Sequence, residues 1–251
     1  MGDTTFSVVG KAVCITGASS GIGRHLASHL AGQGANVVAV ARRRDALADW
    51  EQSTTGNVAS VAADLGDIEN ISAIGDKIAA HFGDVDILIN AAGLNPRLHA
   101  SEINPAQWQQ TIDINLSASF FLAQKFVPAM QAKGWGRVIN FASLQSRRAF
   151  ANGIAYGASK GGVEQMTRAM AEAWSSTGIG CNAIAPGFFL TELTAKVFDD
   201  ADLAQKNADQ TCIGRNGKLR DLEGPVMFLA SPASDYVTGQ VLFVDGGFTA
   251  K

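Results

Sequence analysis

The sequence is poor in cysteine. Its 251 residues include only Cys14, Cys181 and Cys212, which are widely separated. An odd, scattered set is not the pattern of a disulfide-stapled domain. Cys14 and Cys181 lie in apolar, strand-like runs that favour small buried residues. We interpret all three as structural thiols.

Charge of one sign and long apolar runs are also scarce. The 20 basic residues nearly balance the 23 acidic ones, which leaves no basic footprint for nucleic acid or for a membrane surface. No stretch approaches the roughly 20 apolar residues that span a bilayer, and the N-terminus lacks a signal-peptide pattern. We therefore expect a cytoplasmic protein whose partner is a small molecule, and neither nucleic acid nor membrane.

Apolar residues are abundant, at 47% of the chain, and they occur in short runs that alternate with helical segments. The runs are continuous in Val, Ile and Ala, which is typical of strands covered on both faces. This alternation predicts an α/β protein: a single-domain Rossmann fold over 1–251, with a doubly wound, seven-stranded parallel sheet and helices on both faces. The strands are predicted at 12–16, 35–41, 58–63, 85–92, 137–143, 181–186 and 240–245. The helices are predicted at 21–33, 44–50, 67–82, 105–133, 154–177 and 219–229.

One segment departs from this alternation. Residues 188–218 follow the sixth strand and carry short helical patches with few core positions. A long excursion beside a ligand site is often a lid, and we predict a substrate lid here.

The first strand runs into a turn rich in glycine, within the sequence VCITGASSGIG. Glycine lets a backbone approach a bulky ligand, and the start of the following helix offers free N–H groups and partial positive charge. This pattern predicts a phosphate seat. Tight strand–helix packing alone is the alternative. The predicted contacts are Gly17, Ser19, Ser20, Gly21, Ile22 and Gly23.

The ends of the next two strands bear on the choice of cofactor. The second ends at Ala41 and is followed by Arg42, where dinucleotide folds meet the adenosine ribose. An arginine there accommodates a 2′-phosphate, so NADP(H) is favoured over NAD(H). For Arg43 and Arg44, which follow, a solvated start of the next helix is equally plausible. The third strand leads to Asp64 and Leu65, where the carboxylate could accept from the adenine amino group or cap the next helix.

A second constellation suits proton transfer. Ser143 follows the fifth strand, and Tyr156 and Lys160 lie one turn apart on a predicted helix. An ammonium close to a phenol favours the phenolate, so we expect Lys160 to lower the pKa of Tyr156. Such a tyrosine serves as acid toward a carbonyl and as base toward an alcohol. Taken alone, a Tyr-x-x-x-Lys pair is also typical of a helix surface.

Further motifs are spaced along the chain, and those that carry a resemblance are Thr16-Gly-Ala-Ser-Ser-Gly-Ile-Gly23, Asn90-Ala-Ala-Gly93, Asn115, Ser143, Tyr156 to Lys160, Pro186-Gly187 with Thr191, and Val244-Asp-Gly-Gly247. With them the chain resembles the short-chain dehydrogenase/reductase family over 11–248. It is most similar to the subgroup that includes gluconate 5-dehydrogenases and other sugar-acid and polyol dehydrogenases.

The resemblance implies hydride transfer between nicotinamide and a carbonyl or alcohol carbon, without a catalytic metal. It implies that Tyr156 moves the proton, that Ser143 polarises the oxygen, that Lys160 holds the nicotinamide ribose, and that Asn115 anchors a water relay. Subunits of a homotetramer or homodimer are expected. The remaining cofactor contacts that it implies are Asn90, Ala91, Gly93, Pro186, Gly187, Phe189 and Thr191.

Two loops that should flank the reacting carbon carry cations. Arg97 follows the fourth strand, and Gln145 and Arg147 follow Ser143. Guanidinium groups suit planar oxyanions, so we predict substrate contacts from these three residues and from Phe188. The alternative is that the arginines are solvated or pair with acidic residues such as Glu102.

The sequence thus predicts an NADP(H)-dependent oxidoreductase for a polar, anionic substrate such as a sugar acid. A 3-oxoacyl thioester (acyl-carrier-protein) reductase is the second reading, because relatives with the same catalytic set do that chemistry. A non-catalytic NADP(H)-sensing protein is the third.

Overall fold

The computed structural model describes residues 5–251, which form one parallel sheet of seven strands in the order β3-β2-β1-β4-β5-β6-β7. This order confirms the predicted doubly wound Rossmann fold. The strands are β1 Ala12–Thr16, β2 Asn36–Ala41, β3 Val58–Ala62, β4 Ile87–Asn90, β5 Gly136–Phe141, β6 Ile179–Pro186 and β7 Val241–Val244.

Nine α-helices occur in the described part of the chain. They are α1 Gly21–Gly32, α2 Arg44–Ser53, α3 Ile71–Phe82, α4 Pro105–Ile112, α5 Ala118–Lys133, α6 Ile154–Trp174, α7 Ala195–Phe198, α8 Ala201–Asp209 and α9 Glu223–Ala230. The prediction of one continuous helix at 105–133 is wrong, because a π-helical turn at Asp113–Ser117 separates α4 from α5.

The core has a large apolar cluster on each side of the sheet, which explains why the strands read as continuous apolar runs. One cluster joins Val13 and Ile15 of β1 to α1, α2 and α9. The other joins Cys14 of the same strand to α3, α5 and α6. Every residue of β1 is buried, so both faces of this strand need apolar side chains.

Strand order reverses between β1 and β4, and in open α/β sheets ligands bind at the carboxyl ends of strands at such a point. Here the Thr16 hydroxyl accepts hydrogen bonds from the N–H groups of Ala91 and Ala92, each at 3.0 Å. These bonds hold the glycine-rich turn against the loop after β4, and the two form the walls of a cleft.

The predicted lid segment contains α7 and α8. Asp200 accepts a hydrogen bond from the N–H of Leu203 at 3.0 Å and so caps the start of α8. Where the segment begins and ends, Phe189 packs against Gly217. A Cβ on Gly217 would lie 2.5 Å from the Phe189 ring, so only glycine allows the two ends of the segment to come this close. Within residues 5–251, no helix is both long enough and apolar enough to cross a membrane.

Candidate active site

A cavity of about 920 Å³ opens at the carboxyl edge of the sheet, between the glycine-rich turn and the segment 188–218. The structure brings nearly all of the predicted cofactor residues to its wall. Those that line it are Gly17, Ser19, Ser20, Gly21, Ile22, Gly23, Arg42, Asp64, Leu65, Ala91, Gly93, Tyr156, Lys160, Pro186, Gly187, Phe189 and Thr191.

Close backbone approach explains two glycines of the turn. Gly17 has φ +70°, and a Cβ there would lie 2.8 Å from the carbonyl oxygen of Ala91. A Cβ on Gly23 would lie 2.5 Å from the carbonyl oxygen of Gly17, so α1 starts directly against the turn. The side chain of Ser20, at the N-cap, makes no capping hydrogen bond, which leaves N–H groups of the first turn available to a ligand.

The carboxylate of Glu192 shows that the hydrogen-bond donors at this turn can bind an anion. Glu192 accepts hydrogen bonds from the Ser20 hydroxyl and from Nη1 of Arg43, both at 2.9 Å. Nη2 of Arg43 also donates to Ser19 and Ser20, at 3.0 and 2.7 Å. Arg43 and then Ser20 hold the pKa of Glu192 below its ordinary value.

This arrangement fits the phosphates of a dinucleotide. The Ser20 hydroxyl, the Arg43 guanidinium and the N-terminus of α1 lie at one end of the cavity, and the first two already bind a carboxylate. Arg43, for which a solvated helix start was equally plausible from the sequence, is therefore part of the site. Arg42 is exposed on the cavity wall and has no side-chain partner among the described residues. Asp64 also lines the cavity and accepts from the N–H of Gly66 at 2.9 Å.

Asn90 requires a correction as a cofactor contact. Its side chain is 3% exposed and lies behind the cavity wall, where Nδ2 donates to Oδ1 of Asn140 at 2.9 Å and to the carbonyl of Ser119 at 3.3 Å. Asn140 in turn donates to the Thr167 hydroxyl. Asn90 therefore ties β4 to β5 and α5, and Asn140 extends the connection to α6. The backbone that follows Asn90 forms the wall.

The three predicted proton-transfer residues meet at the other end of the cavity. Ser143 follows β5, and its hydroxyl accepts from the N–H of Gln145 at 3.1 Å. Tyr156 and Lys160 lie one turn apart on α6. Nζ of Lys160 donates to the carbonyl of Phe141 at 2.6 Å and lies 5.7 Å from the centroid of the Tyr156 ring. That bond fixes the ammonium group between α6 and β5.

The expectation that Lys160 lowers the pKa of Tyr156 is wrong for this structure. Burial raises the pKa of Tyr156, and the Ser143 hydroxyl and the Arg97 guanidinium offset the increase only in part. Burial also lowers the pKa of Lys160 to about 8. Removal from water outweighs the local charges, because both side chains are almost fully enclosed.

Asn115 lies in the π-helical turn and is 1% exposed. Its Oδ1 accepts from the N–H of Leu94 at 2.8 Å, and its Nδ2 donates to the carbonyl of Leu94 and to the Ser159 hydroxyl. A Cβ on Gly93 would lie 3.3 Å from that Oδ1 and 3.7 Å from Nζ of Lys160. The amide thus holds the loop after β4 beside Lys160; its expected role in a water relay stays a prediction.

Of the predicted substrate residues outside the proton-transfer set, Arg97, Gln145 and Phe188 line the cavity. Arg97 has φ +53°, a conformation that is strained for any residue other than glycine and that clusters at functional sites. Its Nη2 donates to the carbonyl of Leu193 at 3.3 Å, which joins the loop after β4 to the segment 188–218. The Phe188 ring packs against Phe150, with centroids 6.0 Å apart.

Arg147 requires a correction as a substrate contact. Its Nη2 lies 2.7 Å from Oε1 of Glu164, which also accepts from Arg168 at 2.5 Å, and Arg147 is not on the cavity wall. Burial acts to raise the pKa of Glu164, but these hydrogen bonds hold that pKa below its ordinary value. Arg147 pairs with an acidic residue, as the alternative reading allowed, but the partner is Glu164 on α6.

Two further cavity residues escaped prediction. Phe150 extends the aromatic wall beside Phe188, and Asn207 of α8 also lines the cavity. A helical period applied to the segment 188–218 would have found Asn207, because it follows Leu203 by four residues and shares its face. No comparable signal marked Phe150, which lies in an irregular loop.

A family model described as enoyl-(acyl carrier protein) reductase matches residues 17–249. The chain is 38% identical over 252 residues to the galactitol 2-dehydrogenase (L-tagatose-forming) of Cereibacter sphaeroides, covering 98% of each chain. It belongs to the short-chain dehydrogenase/reductase family.

Other members with similar sequences act on sugar acids. The 2-dehydro-3-deoxy-D-gluconate 5-dehydrogenase of Escherichia coli K12 is 38% identical over 253 residues, with 99% of each chain covered. A solved gluconate 5-dehydrogenase from Burkholderia cenocepacia J2315, in complex with NADP and tartrate, superposes with a TM-score of 0.92 at 36% identity, covering 99% of this chain and 98% of that one. The protein described here is therefore an oxidoreductase that acts on CH–OH or C=O groups.

Proposed function

We propose that this protein is an NADP(H)-dependent oxidoreductase for an anionic, polyhydroxylated substrate such as a sugar acid. The observation that carries the proposal is the convergence of Ser143, Tyr156, Lys160 and the Arg97 guanidinium on one cavity, with Arg97 near enough to act on the pKa of Tyr156. A carboxylate bound by Arg97 would place the rest of the substrate over the proton-transfer groups. The solved relative that holds NADP together with tartrate, a hydroxylated dicarboxylate, supports this choice.

When bound, the nicotinamide cofactor supplies or accepts the hydride. The glycine-rich turn, with Ser19, Ser20 and Arg42, would hold its phosphates, and Pro186 to Thr191 would close over the nicotinamide end. The Ser143 hydroxyl donates to the substrate oxygen, and the Tyr156 hydroxyl gives or takes the proton. Lys160, held by Phe141, would bind the nicotinamide ribose beside the tyrosine.

The segment 188–218 serves as the lid of this site. Its residues Phe188, Leu193 and Leu203 line the cavity, and it is tied to the opposite wall by polar contacts at each end. At the adenosine end Glu192 pairs with Arg43, and at the substrate end the carbonyl of Leu193 accepts from Arg97.

A matched substrate pair tests the substrate class. We expect NADPH-linked turnover of a keto sugar acid to exceed that of the neutral keto polyol of the same chain length. Arg97→Ala should raise KM for the acid by about 10- to 100-fold, the loss of one charge-assisted hydrogen bond, and leave the neutral substrate nearly unchanged. Steady-state kinetics with both substrates measures the effect.

Arg148→Ala is the control, because Arg148 is exposed and lies outside the cavity wall. Equal losses for both substrates would contradict the carboxylate contact. A 3-oxoacyl thioester turned over faster than any sugar acid would establish the second reading, and tight NADPH binding without any turnover would establish the third.

The cofactor preference has a separate test. Because Arg42 is unpaired at the adenosine end of the cavity, NADPH should bind about 10- to 100-fold more tightly than NADH, and Arg42→Ala should erase most of the difference. Titration calorimetry with each cofactor measures it. Arg44→Ala is the control, since Arg44 is exposed and does not line the cavity. Equal affinity of the unmodified protein for both cofactors would defeat the assignment.

The protein is expected to assemble as a homotetramer or homodimer. Strand β7 forms one edge of the described sheet, with Leu242 38% exposed. Phe121 on α5 and Trp108 on α4 are similarly exposed. These apolar surfaces support contacts between copies of the chain.

A further inference from the structure

Helices α7 and α8 of the lid present one polar side chain to the cavity, beside apolar ones. Asn207 on α8 is 6% exposed and lines the cavity, yet its side chain has no hydrogen-bond partner among the described residues. Leu203 precedes it by one turn on the same face, and Val197 of α7 lies on the cavity wall with it. Asn207 is thus an amide on the wall of the cavity that Ser143 and Tyr156 also line, and its neighbours on the lid helices are apolar.

The described contacts give this amide no structural role. It carries two donors and an acceptor, which a ligand that fills the cavity must either satisfy or leave unpaired at a cost in free energy. The neighbours of Asn207 give it no structural bond to make. Its hydrogen-bonding capacity is therefore directed at whatever enters the cavity.

The chemistry of the amide narrows the identity of its partner. It is neutral, so it does not compensate a carboxylate as the Arg97 guanidinium does. It donates and accepts at once, which matches a hydroxyl group. Gln145, on the wall formed by the loop after β5, is a second amide whose side chain has no hydrogen bond in the described chain.

We propose that Asn207 binds a substrate hydroxyl remote from the reacting carbon and so selects polyhydroxylated substrates over aliphatic ones. This inference rests on the proposed function, because it concerns the same substrate site. An acyl chain at this position would leave the amide without a partner, and sites with unpaired polar groups reject such analogues strongly. Since Asn207 belongs to the lid, the same hydroxyl joins the lid to the substrate.

The test compares 5-ketogluconate with 5-oxohexanoate, which share the carboxylate and the carbonyl but differ in the hydroxyls. In the NADPH-dependent reaction, Asn207→Leu should lower kcat/KM for 5-ketogluconate by about 5- to 100-fold and leave 5-oxohexanoate unchanged or improved. Gln205→Leu is the control: it makes a similar change on the exposed face of the same helix. Equal losses for both ketones, or no loss for 5-ketogluconate, would overturn the inference.

A second readout does not depend on turnover. The melting temperature of the NADP⁺ complex should rise with added gluconate in the unmodified protein and in Gln205→Leu, and this rise should be lost in Asn207→Leu. Without ligand, Asn207→Leu should melt at or above the unmodified protein, because no hydrogen bond within the described chain is lost. If the leucine does not fit, Asn207→Ala decides by the same two measurements.

The two proposals fail differently. If the unmodified protein reduces 3-oxoacyl thioesters and no sugar acid, the proposed function fails. If it reduces sugar acids but Asn207→Leu keeps the full ratio between the two ketones, only the inference fails, and the amide is then satisfied by water. Absence of any gluconate-induced rise in the melting temperature of the unmodified protein also counts against the inference.

Discussion

Replacing Tyr156 by Phe is expected to lower kcat by about 10²- to 10⁴-fold, which is the usual contribution of a positioned general acid or base. The variant loses one hydroxyl and keeps the ring, which is 9% exposed and packed within the site. The fold and cofactor affinity should therefore be unchanged. Steady-state turnover, with NADPH binding measured in parallel, checks both parts of the expectation.

The chain supplies its own control for this experiment. It has two tyrosines, and the other, Tyr236, is fully exposed and outside the cavity wall. Tyr236→Phe should behave as the unmodified protein. Substantial turnover by Tyr156→Phe would remove the tyrosine from the mechanism.

The raised pKa of Tyr156 adds a pH dependence with a defined sign. Because burial favours the protonated phenol, the acid form predominates at neutral pH and suits carbonyl reduction. Alcohol oxidation needs the base form, so its rate should increase with pH above neutrality. Both trends should be absent from the residual activity of Tyr156→Phe.

Lys160→Met is expected to stabilise the protein while it abolishes turnover. Burial shifts the pKa of Lys160 from 10.5 to about 8, which corresponds to roughly 3 kcal/mol against the charged form. Loss of the charge-assisted hydrogen bond to Phe141 offsets about 2 kcal/mol of this gain. The free energy of unfolding should therefore rise by about 1 kcal/mol at neutral pH.

The sign of the pH dependence follows from proton binding. Between pH 8 and 10.5 the unfolded chain holds the Lys160 proton more tightly than the folded chain, so the stability of the unmodified protein increases with pH there. The methionine variant lacks this increase, and its advantage should shrink across the same window. Denaturant unfolding at several pH values measures the difference, with exposed Lys206→Met as the control. A variant less stable than the unmodified protein at neutral pH would contradict the burial argument.

Local sequence was sufficient for the sheet and for the residues that follow its strands. Continuous apolar runs such as the one at β1 require cover on both faces, and chain chirality leaves few ways to connect parallel strands. Because carboxyl ends of parallel strands share one edge, Gly17, Arg42, Ser143 and Pro186 had to lie near one another. The cavity holds all four.

Pairing across the fold could not be predicted in the same way. Arg97 and Arg147 both follow strands and both carry guanidinium groups, but Arg147 has Glu164 within reach on α6 whereas Arg97 has a carbonyl of the lid. Arg43 likewise acquires its role from Glu192, 149 residues later in the chain. A local sequence pattern cannot predict a contact between residues so far apart in the chain.

Periodicity and motif spacing therefore determined the fold class, the position of the cleft and the residues predicted to transfer the proton, because each depends on interactions within one strand–turn–helix unit. Tertiary structure decided the directions in which the pKa values of Tyr156 and Lys160 shift. It also decided that Arg97 lines the cavity while Arg147 pairs with Glu164, and that Asn207 is buried on the cavity wall. Each of these depends either on removal of a group from water or on contact with a residue from a distant element. Both arise only once the chain is packed.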